Sequence, residues 1–168
     1  STQVNTKNLY GKSKLNAELE IRNLEIETGN KSHIYRLPGV FGKWSKPNYN
    51  SVVATFCNNI GKDLPIQIND PEFELKLVYI DDVIEEFINK ILGDDEYLKD
   101  PSVSPEYQIT LGDLADQIKN FKISRDTLIT EKVGTGFVRK LYSTYLSFLS
   151  PDKFSYSIPT HGDERGMF

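Results

Sequence analysis

The chain has 168 residues, 38% of them apolar and 26% charged, enough for one domain with a sizeable core and the composition of an ordinary soluble protein. A formal charge of −4 with no basic block argues against a nucleic-acid partner, and the lack of a long apolar run or a leading signal peptide argues against a membrane. A single cysteine, Cys57, leaves no internal disulfide or thiolate metal cage, and a cytoplasmic setting fits best.

The first residues, Ser1-Thr2-Gln3-Val4, are polar, lack methionine and follow no strand with a glycine-rich turn, so the expectation is a fragment of a longer protein. From Tyr10 to about Thr28, residues Leu15, Leu19, Ile21, Leu24 and Ile26 recur with roughly helical spacing, and Gly29 and Asn30 suit the end of a helix. On that helix Tyr10 and Lys14 lie one turn apart on one face. A phenol is a poor proton-transfer group at neutral pH unless its ionised form is favoured. An ammonium about 4–5 Å away, at an effective dielectric of about 20, favours phenolate by roughly 3–4 kcal/mol before desolvation subtracts from it. The pair therefore suits reversible proton transfer to a carbonyl oxygen. Taken alone the spacing is a weak signal, since roughly one Tyr-x-x-x-Lys arises by chance in such a chain and an exposed helix face is the plainer reading.

Ser32–Leu37 predicts a short strand stopped by Pro38-Gly39, with His33 on its surface rather than in a ligand set. The loop from Pro38 to Asn50 is dense in aromatic and amide side chains beside Lys43 and Lys46, which suits a nucleotide or sugar diphosphate; a solvated loop is the alternative. A helix from about Ser51 to Ile60 carries Cys57 on its buried side, where the thiol serves as a small hydrophobe. Leu64–Ile68 reads as an edge-like strand, because Pro65 cannot donate to a ladder. Glu74–Ile80 is a strand, and Asp81-Asp82 stands before the helix Val83–Leu92 in a capping role ahead of any acid-base one, with Glu85-Glu86 on the helix surface. Gly93–Ser104 is a polar connector. Tyr107–Thr110 is a strand, followed by a helix from Leu111 to Phe121 with Leu111, Leu114, Ala115, Ile118 and Phe121 on one face. A further helix, about Phe137–Leu149, carries a packing stripe of Leu141, Tyr145 and Phe148. Beyond Ser150, Pro151 and Pro159 bracket a linker, and the stretch from His161 to Phe168 reads as a turn leading into a strand.

Three blocks, Leu9-Tyr10-Gly11-Lys12-Ser13-Lys14-Leu15 with Glu18, Tyr35–Gly42 and Val78–Val83, occur in the order found in the extended short-chain dehydrogenase/reductases that act on nucleotide sugars, and the chain resembles that family. The resemblance implies an α/β fold, the C-terminal part of a Rossmann-type reductase without its N-terminal glycine-rich half. The loop Phe41–Ser51 and the segment Leu141–Ser147 are similar to the bifunctional capsular polysaccharide enzymes of the UDP-N-acetyl-L-fucosamine pathway. In those a reductase domain is followed by a cupin 3-epimerase domain, and Asp163–Phe168 resembles a cupin's opening strand. Residues 1–150 would then be a partial reductase domain holding the catalytic helix and substrate-binding part. Residues 151–168 would be a linker and the first strand of a truncated β cupin.

Carried over by resemblance, Tyr10 donates a proton to the sugar 4-keto oxygen, and Lys14 holds the nicotinamide ribose and favours phenolate. Ser1 falls where the family places a hydroxyl bonded to the same oxygen. Pro38 and Val40 flank the nicotinamide, while Asn48, Asn50, Lys43 and Lys46 face the UDP-sugar. Two positions depart from the family, Gly39 where many relatives have Asn and Leu75 where many have Arg; Lys43 or Lys46 would replace the usual diphosphate clamp. The implied cofactor is NADPH, the implied substrate a UDP-4-keto-6-deoxy-hexosamine, and the implied full-length protein a homo-oligomer. No metal is assigned to this chain, and zinc in the cupin would need ligands beyond Phe168. The isolated piece, lacking a pyrophosphate cradle, is expected to be inactive. Alternatives are another nucleotide-sugar epimerase or dehydratase, the latter disfavoured because Ser1-Thr2-Gln3 offers no acidic pair, and a non-catalytic dinucleotide-sensing or assembly module.

Overall fold

The computed structural model describes residues 2–93 and 100–167; Ser1, residues 94–99 of the connector, and Phe168 lie outside it. The chain divides into two compact units, Ser1–Phe41 with Leu75–Gln108, and Gly42–Glu74 with Ile109–Phe168.

In the first unit a 3-10 turn, Thr2–Asn5, leads to α1, Leu9–Thr28. Asn8 caps α1 by accepting from the Gly11 amide at 2.7 Å, and Gly29 ends it in the left-handed conformation (φ 72°), its amide donating to Glu25 O at 2.9 Å. Strand β1, Gly39–Phe41, pairs in parallel with β2, Glu74–Tyr79, through Gly39↔Leu77, Val40↔Val78 and Phe41↔Tyr79, and β3, Tyr107–Thr110, completes the order β1-β2-β3. Val78, Val83 and Val103 form a core against which Tyr35, Leu37 and Val40 pack.

The ladder differs from expectation. Ser32–Leu37 carries no strand pairing; pairing begins only beyond Pro38. A strand exists through its partner, and here the Leu37 carbonyl accepts from the Thr2 amide at 3.3 Å instead. Gly39 suits the ladder because a Cβ there would sit 3.0 Å from Leu77 Cδ2 and 3.2 Å from Lys76 O. Helix α3, Ile80–Leu92, starts earlier than predicted, with Tyr79 at the cap and no side-chain cap bond. Asp81 and Asp82 lie in its first turn, where they oppose the helix dipole rather than cap it. Glu86 is more than surface: it accepts from the Tyr35 hydroxyl at 2.8 Å, and burial together with this carboxylate pushes the phenol up to about 12.

The second unit is built on α2, Val52–Gly61, α4, Leu111–Thr127, and α5, Gly136–Leu146. Ser51 caps α2 by accepting from Ala54 N at 3.2 Å, and Thr110 caps α4 by accepting from Asp113 N at 3.1 Å. Leu114, Ala115, Ile118 and Phe121 are fully buried, as their spacing predicts, together with Leu141, Tyr145 and Cys57. The Phe121 ring meets Tyr142 at 5.0 Å and Tyr145 at 6.0 Å between centroids. Burial pushes the Cys57 thiol well up, and it packs as the hydrophobe its sequence context suggests. Helix α4 continues to Thr127 and α5 stops at Leu146; a short α6, Pro151–Phe154, occupies what reads as linker. Leu64–Ile68 forms no strand, because the end of α2 holds it: Leu64 N donates to Asn59 O at 2.8 Å and Asn59 Nδ2 to Pro65 O at 3.0 Å. Beyond α6, β4, Gly162–Asp163, and β5, Gly166–Met167, pair as a small antiparallel hairpin, bearing out the predicted turn and strand.

Asp63, with φ 60°, contacts the Lys122 ammonium and accepts from Lys153 Nζ at 2.9 Å. Hydrogen bonds from Lys122 and then Lys153 hold its carboxyl at about 2. A carboxyl lowered by folding stabilises above its unfolded value near 3.8 and loses that contribution as pH falls toward about 2. Asp63→Asn, which tolerates the same backbone, is therefore expected to lower the thermal midpoint at pH 5 and to converge with the parent by pH 2. A midpoint difference independent of pH would remove the carboxylate from the account.

Candidate active site

The start of α1 determines where Tyr10 and Lys14 point. One helical turn separates them, and Lys14 Nζ lies 5.3 Å from the Tyr10 ring centroid. The tyrosine is 56% exposed and Lys14 is exposed, so both polar ends are accessible. Among the described residues no carboxylate pairs with Lys14, which leaves its donors for the hydroxyls of a bound sugar. The next residue, Gly11, is buried against the 3-10 turn.

Pro38 and Val40 are half-buried at the start of β1, and Pro38 lines a cleft of about 210 Å³ with Leu37, Val103 and Glu106. The Tyr10 phenol and the exposed Lys14 ammonium beside it fit the ribose hydroxyls at the nicotinamide end of a dinucleotide. They do not fit its pyrophosphate, since the sequence has no Gly-x-x-Gly-x-x-Gly turn. Among the described residues no group of three His, Cys, Asp or Glu side chains is placed to hold a metal ion.

In the second unit Asn48 and Asn50 do come together. They line a cleft of about 500 Å³ with Tyr49, Thr55, Asn59 and Gln67. Asn48 takes a left-handed conformation (φ 54°) and its amide donates to Thr55 Oγ1 at 2.9 Å. Lys43 and Lys46 are not among the lining residues; their ammonium groups lie over Trp44 at 5.8 Å and over Tyr49 at 5.3 Å. The cleft therefore offers amides, hydroxyls and an aromatic face without a formal charge, a surface for a heterocycle or sugar hydroxyls more than for a diphosphate. Sequence reading missed Thr55, Asn59 and Gln67. The i, i+4 spacing of Thr55 and Asn59 on α2 is the one signal that could have found them. Ser1 lies outside the described residues.

The fold is similar to that of UDP-glucose 4-epimerase from Thermotoga maritima, which superposes with a TM-score of 0.66 at 20% identity, over 83% of this chain and 52% of that one. No protein-family model matches the sequence. The chain is 51% identical along its whole length to UDP-2-acetamido-2,6-beta-L-arabino-hexul-4-ose reductase of Pseudomonas aeruginosa, covering 45% of that protein. The crystal structure of the capsular polysaccharide assembling protein CapF from Staphylococcus aureus matches with a TM-score of 0.92 and 43% identity, over 99% of this chain and 46% of CapF. The likeness to a capsular polysaccharide enzyme is thus borne out, and the chain spans less than half the length of these relatives.

Proposed function

We propose that this chain is the proton-donating and substrate-holding part of an NADPH-dependent reductase that converts the C4 ketone of a UDP-4-keto-6-deoxy-hexosamine to an alcohol, giving a UDP-N-acetyl-6-deoxy-talosamine. The observation that carries the reading is the Tyr10-Lys14 pair, side by side at the head of α1 in a chain that matches a hexul-4-ose reductase from end to end. The Tyr10 hydroxyl donates its proton to the C4 oxygen, and Lys14, beside the ring, stabilises the phenolate left behind while holding the ribose hydroxyls. NADPH, when bound, supplies the hydride that reaches C4. Pro38 and Val40 bound the nicotinamide, and Ser1 provides a second hydrogen bond to the ketone oxygen. Asn48 and Asn50 take the uridine or sugar hydroxyls, with Lys43 and Lys46 swinging from their aromatic rings to the diphosphate. Residues 1–150 belong to the reductase and residues 151–168 lead into a cupin 3-epimerase, whose zinc ligands lie beyond Phe168. The full-length protein works as a homo-oligomer.

The test uses the full-length protein with the 4-keto sugar and NADPH deuterated at the transferable position. One deuterium at C4 of the product is expected; deuterium at another carbon, or none, overturns the reading.

A further inference from the structure

Gly11 sits inside a helix, where glycine is unfavourable by roughly 1 kcal/mol relative to alanine, so its presence asks for a reason. The surroundings supply one. A Cβ at Gly11 would lie 2.4 Å from Thr6 Oγ1, 2.5 Å from Gln3 O and 2.5 Å from Thr6 O. Two of those three atoms are backbone, so no rotamer change relieves the clash. The first turn of α1 is pressed directly onto the 3-10 turn Thr2–Asn5.

Hydrogen bonds tie the same contact. Asn8 Oδ1 accepts from the Gly11 amide at 2.7 Å, and the Thr6 hydroxyl hydrogen is shared between Gln3 O at 2.8 Å and Asn8 Oδ1 at 3.1 Å. The Thr6 amide also donates to Gln3 O at 3.0 Å, and Val4 is buried. At its other end the turn is joined to the loop before β1, because the Thr2 amide donates to Leu37 O at 3.3 Å, next to Pro38. The start of α1, residues 2–6 and the Leu37-Pro38 backbone are thus connected in one frame, and Tyr10 adjoins the residue at its tightest point.

We infer that Thr6, Asn8 and Gly11 are positioning residues for Tyr10, a latch that sets the distance of its hydroxyl from a ketone held beside the Pro38 backbone. This rests on the reductase reading above and names the parts that keep its proton donor in place. A helix start displaced by the width of a methyl group moves the phenol by a comparable amount, and misplacement on that scale costs about a hundredfold in rate. That reading assigns Thr6, Asn8 and Gly11 to neither cofactor nor sugar, so the loss falls on kcat more than on KM.

The full-length reductase is assayed as Gly11→Ala, Asn8→Ala, Asn8→Ser and Tyr10→Phe. Gly11→Ala is expected to lower kcat about a hundredfold and Asn8→Ala about tenfold, with KM for NADPH and for the 4-keto sugar within about twofold of the parent. Asn8→Ser, which can still accept from the Gly11 amide, restores kcat to within about threefold. If Gly11→Ala does not fold, the Asn8 pair decides alone. Unchanged kcat in Asn8→Ala, a rise in KM that accounts for the loss, or failure of Asn8→Ser to restore turnover overturns the latch while Tyr10→Phe still abolishes activity. Full turnover by Tyr10→Phe removes Tyr10 as the proton donor and overturns the latch with it, whereas no turnover of the 4-keto sugar by the parent protein overturns the reductase reading.

Discussion

Tyr10→Phe is expected to lower kcat of the full-length protein in the proposed ketone reduction about a thousandfold, within the 10²–10⁴ range of a positioned general acid, and to leave cofactor affinity unchanged. Phenylalanine removes only the hydroxyl. The ring that carries the Lys14 contact at 5.3 Å remains, so the ammonium keeps its place at the head of α1. Because the side chain is 56% exposed, no core is disturbed and the folded state loses little. Steady-state turnover with the 4-keto sugar, alongside a fluorescence titration with NADPH, separates the effects. A loss below about tenfold would place the proton donor elsewhere.

Phe121→Ala is expected to destabilise the protein by about 3–5 kcal/mol, the largest stability effect of any single truncation proposed for this chain. Phe121 is fully buried where α4 meets α5, with the Tyr142 and Tyr145 rings at 5.0 Å and 6.0 Å. Removing it opens a cavity and forfeits two aromatic contacts, each adding about 0.5–1.5 kcal/mol beyond area burial. The denaturant midpoint and the amide-exchange protection of α2, α4 and α5 report the change. A cost under about 1 kcal/mol would mean that these helices do not share one core.

The elements legible in the sequence are those that carry their own periodicity. Leu114, Ala115, Ile118 and Phe121 keep one face of α4, and all are buried. Gly29 ends α1 by local stereochemistry, and Ser51 caps α2 by a local hydrogen bond. Strand pairing was legible only in part, because it depends on residues distant in sequence. Ser32–Leu37 and Leu64–Ile68 have strand composition, but one yields its Leu37 carbonyl to Thr2 and the other is held by Asn59. At the candidate site the Tyr10-Lys14 pair follows from helical geometry, whereas the amide-lined cleft joins Asn48 and Asn50 to Asn59 and Gln67 through tertiary packing. The sequence shows Lys43 and Lys46 beside aromatic residues, but that each ammonium lies over the ring of Trp44 or Tyr49 is a matter of side-chain packing. Gly11 reads as a mere helix weakness until the turn beside it is seen.

Cys57 faces the interior of the α2 helix contact with no exposed surface, and the sequence contains no second sulfhydryl to compete with it. An alkylating reagent can reach the Cys57 thiol only while that helix is lifted away. Its uptake therefore clocks how often the second unit opens, and the protein carries an internal stopwatch for its own breathing without an engineered label.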